Sequence, residues 1–178
     1  MAMHQRGHGL SHVRPLRPIR EPGPLRPTVR PRPRLRRNAF RHRRCLIPSE
    51  GFYEWRITPT GKQPYLIRRG DGPFSPTFAM AGIWETWQGP TGPLHSCAIV
   101  VTNANPEIAT VHDRMPVIIE PSDYSAWLDP RPRDLAALTK LLRPAAGPWA
   151  LSPVSMRVNN PRNDDSGLIQ PAPGVAAP

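Results

Sequence analysis

The chain has 178 residues, 24 Lys+Arg against 13 Asp+Glu, and 26 prolines, about three times the usual share. The charge is unevenly placed: residues 1–44 hold thirteen arginines, seven prolines and the single acid Glu21, a net +12, so the other 134 residues sum to −1 and overall basicity says nothing about them. Two cysteines without a CxxC pair exclude a disulfide framework and a zinc site, and the longest apolar run, Phe78 to Trp84, is far below the roughly 18 residues that span a bilayer.

Residues 1–37 alternate Arg and Pro without either apolar period, so they bury too little surface to offset ordering and are expected to be disordered. His4, His8 and His12 recur at i, i+4 and i+8, yet Gly7, Gly9 and Ser11 oppose the helix that would align them, so no metal is expected. No apolar h-region marks a secretory signal, and Pro15, Pro18, Pro22, Pro24 and Pro27 break the amphipathic helix of a transit peptide. A reducing cytoplasm is the expected location.

From Cys45 the pattern changes. Arg44–Pro48 is a short apolar run, Gly51–Arg56 an aromatic-rich strand, Thr58–Lys62 a turn, and Pro64–Arg68 the hairpin partner. After a turn at Gly70–Pro73, Thr77–Trp87 reads as a buried strand, Gln88–Pro93 as a loop, and His95–Thr102 as a β-branched core strand. Asn105–Val111 suits one or two helical turns, and Met115–Ile119 a further strand. Ser122 or Asp123 caps a helix whose Tyr124, Trp127 and Leu128 share one face, and a second helix starts at Asp134, carries Leu135, Leu138, Leu141 and Leu142, and stops before Pro144. Leu151–Val158 is the last strand, followed by a polar loop over Asn159–Gly167. Strands arriving as hairpins predict an α+β fold, one domain with a mostly antiparallel sheet in a partial barrel and a few short helices.

Three places carry polar groups that packing alone does not require. Glu54 lies between Tyr53 and Trp55; a carboxylate against aromatic walls loses hydration and suits general acid or base work, although alternation by itself favours a Glu54 that faces solvent. His112, Asp113 and Arg114 could join proton transfer to anion recognition; in a strand His112 and Arg114 would share one face and Asp113 the other, and a structural role for His112 fits the spacing equally well. The loop of Arg157, Asn159, Asn160, Arg162 and Asn163 suits phosphate or sugar contacts, with Trp55, Trp84 or Trp87 available to stack on unpaired bases, and a plain solvated loop would look the same.

Three segments together resemble one family. Arg43–Trp55 (RRCLIPSEGFYEW), Val111–Ile118 (VHDRMPVI) and the stretch from Pro153 through Asn159-Asn160 to Pro171 are similar, in order and spacing, to the SRAP family, the SOS response-associated peptidases or abasic-site-processing proteins, over roughly Asn38 to Pro171. The resemblance implies a monomeric protein of the DNA-damage response that binds single-stranded DNA and captures the aldehyde of an abasic site, without a cofactor and away from membranes, at the nucleoid. It also implies a peptidase that removes its own leader. In the family a cysteine behind the initiator forms a Schiff base through its α-amine and closes a thiazolidine through its thiol. By the same resemblance Glu54 would open the sugar, His112 would assist Schiff-base formation and reversal, and Arg114, with Trp55, Asn160 and Arg162, would contact DNA.

The sequence departs from the family at its start, Met1-Ala2-Met3-His4, where no cysteine follows the initiator. The family's upstream Asn-Ala-Arg-x-Glu segment is also missing, since Asn38-Ala39 is followed by Phe40, and the first strands of the fold are expected to be missing with it. Cys45 and Cys97 are internal, cannot supply an α-amine, and read as buried structural thiols. The expected organisation is an arm at 1–37, an SRAP-like domain at 38–171 and a tail at 172–178, inactive in crosslinking. One explanation of the arm is a shifted reading frame upstream of Asn38; the alternative is a non-catalytic DNA binder that uses the +12 segment to neutralise phosphates.

Overall fold

The protein is described here from a computed structural model, which covers residues 33–70, 76–131 and 134–175. His4, His8, His12 and most of the expected arm lie outside these residues. The last positions of that arm, 33–37, open a helix, α1 (Pro33–His42). Alternating Arg and Pro concealed the helix start, but Ala39 is buried and the Phe40 ring meets Trp127 edge to face at 6.1 Å.

Among the described residues nine strands follow: β1 (Arg44–Ser49), β2 (Phe52–Thr58), β3 (Gly61–Arg69), β4 (Phe78–Gly89), β5 (Gly92–Ile99), β6 (Val101–Asn103), β7 (Arg114–Pro116), β8 (Ile118–Ile119) and β9 (Trp149–Pro153). All named pairings are antiparallel. One sheet has the order β1-β4-β5 with β8 on β4, a second is β2-β3-β9, and β6-β7 form a two-stranded ribbon. The described strands form no closed barrel. Residues Gln88–Pro93, read as a loop, instead make a tight hairpin whose strands pair to the Gly89–Gly92 register. The expected strand Leu151–Val158 ends at Pro153 and gives way to a 3₁₀ turn over Met156–Asn159.

The two larger sheets face each other across one core. Ile67, Tyr65 and Trp149 from the second sheet meet Phe78, Met80 and Ile118 from the first, and Trp149 receives Phe52 and Phe78 edge to face. Odd positions of β4 turn the other way. Ala81 and Ile83 pack with Val117 and Ile119 under α1, α2 (Tyr124–Leu128) and α3 (Leu135–Lys140), around the fully buried Trp127. Leu128, expected to share the inward face of α2, is exposed, because α2 lasts only five residues. Asp134 caps α3 as the sequence suggests, its carboxylate accepting from the Ala136 amide at 2.8 Å.

A buried arginine ties the outer helices to the sheet. Arg44, the first residue of β1, donates from Nε to the Trp127 carbonyl (2.5 Å) and from Nη1 to the Phe40 carbonyl (2.6 Å), with further bonds to the carbonyls of Arg41 and Asp129. Those oxygens are at the C-terminal ends of α1 and α2, where helical carbonyls lack partners and cations are favoured.

Gly51 shows how closely β1 passes into β2. A Cβ there would lie 2.9 Å from the Ile67 carbonyl oxygen and 3.1 Å from Arg68 Cγ, and backbone cannot give way as a side-chain tip can. Gly51→Ala is expected to cost about 1–3 kcal/mol, read as a lowered urea midpoint; an unchanged midpoint would show that β2 can shift freely against β3.

Candidate functional site

Strand β2 splits its side chains between two surroundings. Phe52 and Glu54 stand opposite Ile67 and Tyr65, both core residues, so the carboxylate points between the sheets. Tyr53 and Trp55 stand opposite Leu66 and Pro64 on the outer face, which the C-terminal segment covers. The Trp55 indole donates to Asn159 Oδ1 at 2.7 Å and the Tyr53 hydroxyl to the Leu168 carbonyl at 3.5 Å. Val154 bridges to Pro171, and the Ala172 amide donates to the Pro153 carbonyl, fixing the end of this cover. The alternation rule that favours a solvent-facing Glu54 assumes one bare face, and here both faces are packed.

Glu54 is three-quarters buried, with 24% of its side chain exposed. Burial pushes its carboxyl above the ordinary range; His112 and a bond from the Trp55 amide oppose this, and nearby Asp113 reinforces it. His112 Nδ1 lies 3.9 Å from Glu54 Oε2. That ring nitrogen is surrounded by further polar groups: the Arg114 amide donates to it at 3.1 Å, and Asp113 Oδ1 and the Arg114 carbonyl lie at 3.3 and 3.4 Å. The donated bond requires a lone pair on Nδ1, which places the proton of the neutral ring on Nε2. Glu54 Oε2 and Asp113 Oδ1 stand within ion-pair range of that same nitrogen.

Asp113 was expected on the face opposite His112. The strand β7 begins only at Arg114, and His112 and Asp113 lie in the preceding turn, where the period-two rule does not hold and the two side chains meet. Arg114 directs Nη1 to Asn103 Oδ1 at 2.9 Å. Asn103 carries no site role in the sequence; the available signal for it is a polar residue ending an otherwise apolar strand.

The structure thus brings Glu54 and His112 together, with the Arg114 backbone on the His112 ring, and sets Trp55 on the opposite face of β2 against Asn159 of the loop that holds Asn160 and Arg162. Most of the C-terminal polar loop is spent on holding itself. Arg157 forks onto Asp165 at 2.6 and 3.3 Å, Asn163 donates to the Arg157 carbonyl, and Asn160 Oδ1 accepts from the Arg162 amide. Among the described residues the Arg162 guanidinium has no hydrogen-bond partner.

Cys45, opposite Gly82, and Cys97, opposite Trp84, are half-buried, not buried as expected. Burial, with Cys97 second, raises the Cys45 thiol. They stand on the two strands that flank β4, and both are free thiols. Among the described residues no group of three His, Cys, Asp or Glu side chains could hold a metal, and no helix is long and apolar enough to cross a membrane.

Comparison with known proteins places this geometry in a family. The profile described as SOS response associated peptidase (SRAP) matches residues 28–161, beginning ten positions before Asn38. The chain is similar to the abasic site processing protein YoqW of Bacillus subtilis (40% identical over 131 residues, 72% of this chain and 57% of the relative). It is also similar to the abasic site processing proteins YoaM of the same organism (36%; 80% and 62%) and HMCES of Gallus gallus (33%; 72% and 44%). Among solved structures, a crystal structure of a protein from Bacteroides thetaiotaomicron superposes with a TM-score of 0.66 at 28% identity, over 76% of this chain and 60% of that one. One from Bordetella bronchiseptica shares the fold, with a TM-score of 0.58 at 24% identity over 67% and 59%. The chain spans a little over half the length of YoqW. With three quarters of its residues inside the profile, the chain belongs to the SRAP family.

Proposed function

We propose that this chain processes abasic sites in single-stranded DNA through Glu54 and His112, with Arg114 on a backbone phosphate. The observation that carries the reading is the convergence of a buried carboxyl, pushed upward by that burial, and an imidazole 3.9 Å apart, with the Arg114 amide on the same imidazole and an Arg114 guanidinium that among the described residues pairs with no carboxylate. Glu54 gives its proton to the sugar ring oxygen as the C1′–O4′ bond breaks, and His112 takes the proton of the C1′ hydroxyl as the aldehyde forms. An abasic position in a single strand reaches this inner face without the cost of unpairing.

Schiff-base capture of that aldehyde needs an amine, and thiazolidine closure needs a thiol on the same carbon frame. Neither internal cysteine offers both, so the 178-residue polypeptide is expected to form no crosslink of its own. An added Cys-Gly-Arg peptide supplies the missing groups: its amine condenses with the aldehyde, releasing water, and its thiol then adds to the imine carbon. Abasic single-stranded oligonucleotide is incubated with the peptide, with and without the protein. Faster thiazolidine formation with protein, and no SDS-stable protein–DNA band without peptide, is the expected result. Equal rates with and without protein, or binding that does not prefer abasic over intact strand, would overturn the proposal.

A further inference from the structure

The last residue of β6 and the first of β7, Asn103 and Arg114, are register partners. The Ala104 amide donates to the Asp113 carbonyl at 2.9 Å just beyond them, so the ribbon is closed at this end and the two side chains are held side by side. Arg114 is half-buried, and its Nη1 bond to Asn103 Oδ1 is the one side-chain partner it has among the described residues. Its Nε and Nη2 donors are uncommitted. A partly desolvated guanidinium with an open edge is an anion acceptor, because the fork matches two phosphate oxygens at once.

We infer that Asn103 is a positioning residue that sets the orientation of Arg114 for a DNA phosphate beside the Glu54–His112 pair. This rests on the function proposed above. The chemistry of the side chain matters: an amide oxygen takes one guanidinium donor and leaves the positive charge intact, whereas a carboxylate in its place would consume that charge. Asn103 fixes one end of the fork, so less rotamer freedom remains to be lost when phosphate binds the other end.

The test is a double-mutant cycle on the full 178-residue chain, using a single-stranded oligonucleotide with an unreactive tetrahydrofuran abasic analogue and fluorescence anisotropy over a salt series. Arg114→Ala is expected to flatten the salt slope by about 0.7, one phosphate on a single strand. Asn103→Ala keeps the charge, so the slope should persist while affinity falls about three- to tenfold, the range for one hydrogen bond. In the Arg114→Ala background, Asn103→Ala should change affinity no further. An Asn103 effect of equal size in both backgrounds would overturn the inference and mark a merely structural residue. An unchanged slope in Arg114→Ala would instead remove the phosphate contact itself, and the inference with it. Circular dichroism on each variant separates either result from misfolding.

Discussion

Arg44→Met should lose about 3–5 kcal/mol of folding stability, a large share of what a domain of this size has. Arg44 is 7% exposed, and its guanidinium serves carbonyls of Phe40, Arg41, Trp127 and Asp129. Methionine fills much of the volume but donates nothing, which leaves the C-terminal ends of both α1 and α2 without partners in a dry setting. The same change removes a cation that sits 5.8 Å from the centre of the Trp127 ring. Burial lowers the Arg44 pKa and Asp129 opposes this, so the fold already pays to keep the charge where it is. Lysine would not restore the arrangement, since a single ammonium cannot reach carbonyls on two helices at once. Urea denaturation reads the effect as a midpoint lowered by about 1–3 M. An Arg44→Met midpoint within a few tenths molar of the parent would show that water satisfies these carbonyls and that the clamp is decorative.

Glu54→Gln is expected to slow abasic-site processing by about 100- to 10,000-fold, the usual range for loss of a general acid or base. Glutamine keeps the shape and the hydrogen-bonding reach but cannot exchange a proton. Stability should move the opposite way. Burial raises the Glu54 carboxyl, so the folded chain holds this proton more tightly than the unfolded chain does. The stabilisation that follows from protonation is complete below the unfolded pKa and is lost as pH rises through the folded one. Wherever Glu54 is ionised, its three-quarters buried carboxylate is therefore a cost, and Gln removes it. The melting temperature of Glu54→Gln should exceed that of the parent at pH 7, and the gap should close as pH falls below the carboxylate range. If the variant melts lower at pH 7, the pairing with His112 outweighs desolvation and Glu54 acts mainly as a structural anion. Full activity in the variant would remove Glu54 from the chemistry.

Much of the fold was legible along the chain. The hairpin of β2 and β3, the long β4 and the helix start at Asp134 all followed from turn residues, β-branched runs and apolar spacing, because those are local preferences within a few residues. The three motifs that carry the family resemblance are equally local, and they single out Glu54, His112 and Arg114 as candidates. Failures came where a distant segment changed the local rule. Residues 33–37 were assigned to a disordered arm, but α1 is held by Trp127 and Arg44 from elsewhere in the chain. Leu151–Val158 reads as one strand, yet Val154 turns to bridge Pro171 and the chain leaves the sheet.

Sequence alone therefore determined the chemistry of the candidate groups: a carboxyl among aromatics, an imidazole followed by an acid and a guanidinium, and a body whose charge is near zero despite the basic first quarter. Tertiary structure decided how those groups are used. Covering the outer face of β2 with the C-terminal segment turns Trp55 and Asn159 into a structural pair and leaves Glu54 as the residue aimed between the sheets. The β6-β7 register gives Arg114 an amide in place of a carboxylate, and the fold converts Arg44 from one more cation in a basic run into the clamp of two helix ends. In each case the deciding interaction joins residues far apart or on different strands, and neither period nor composition carries that information.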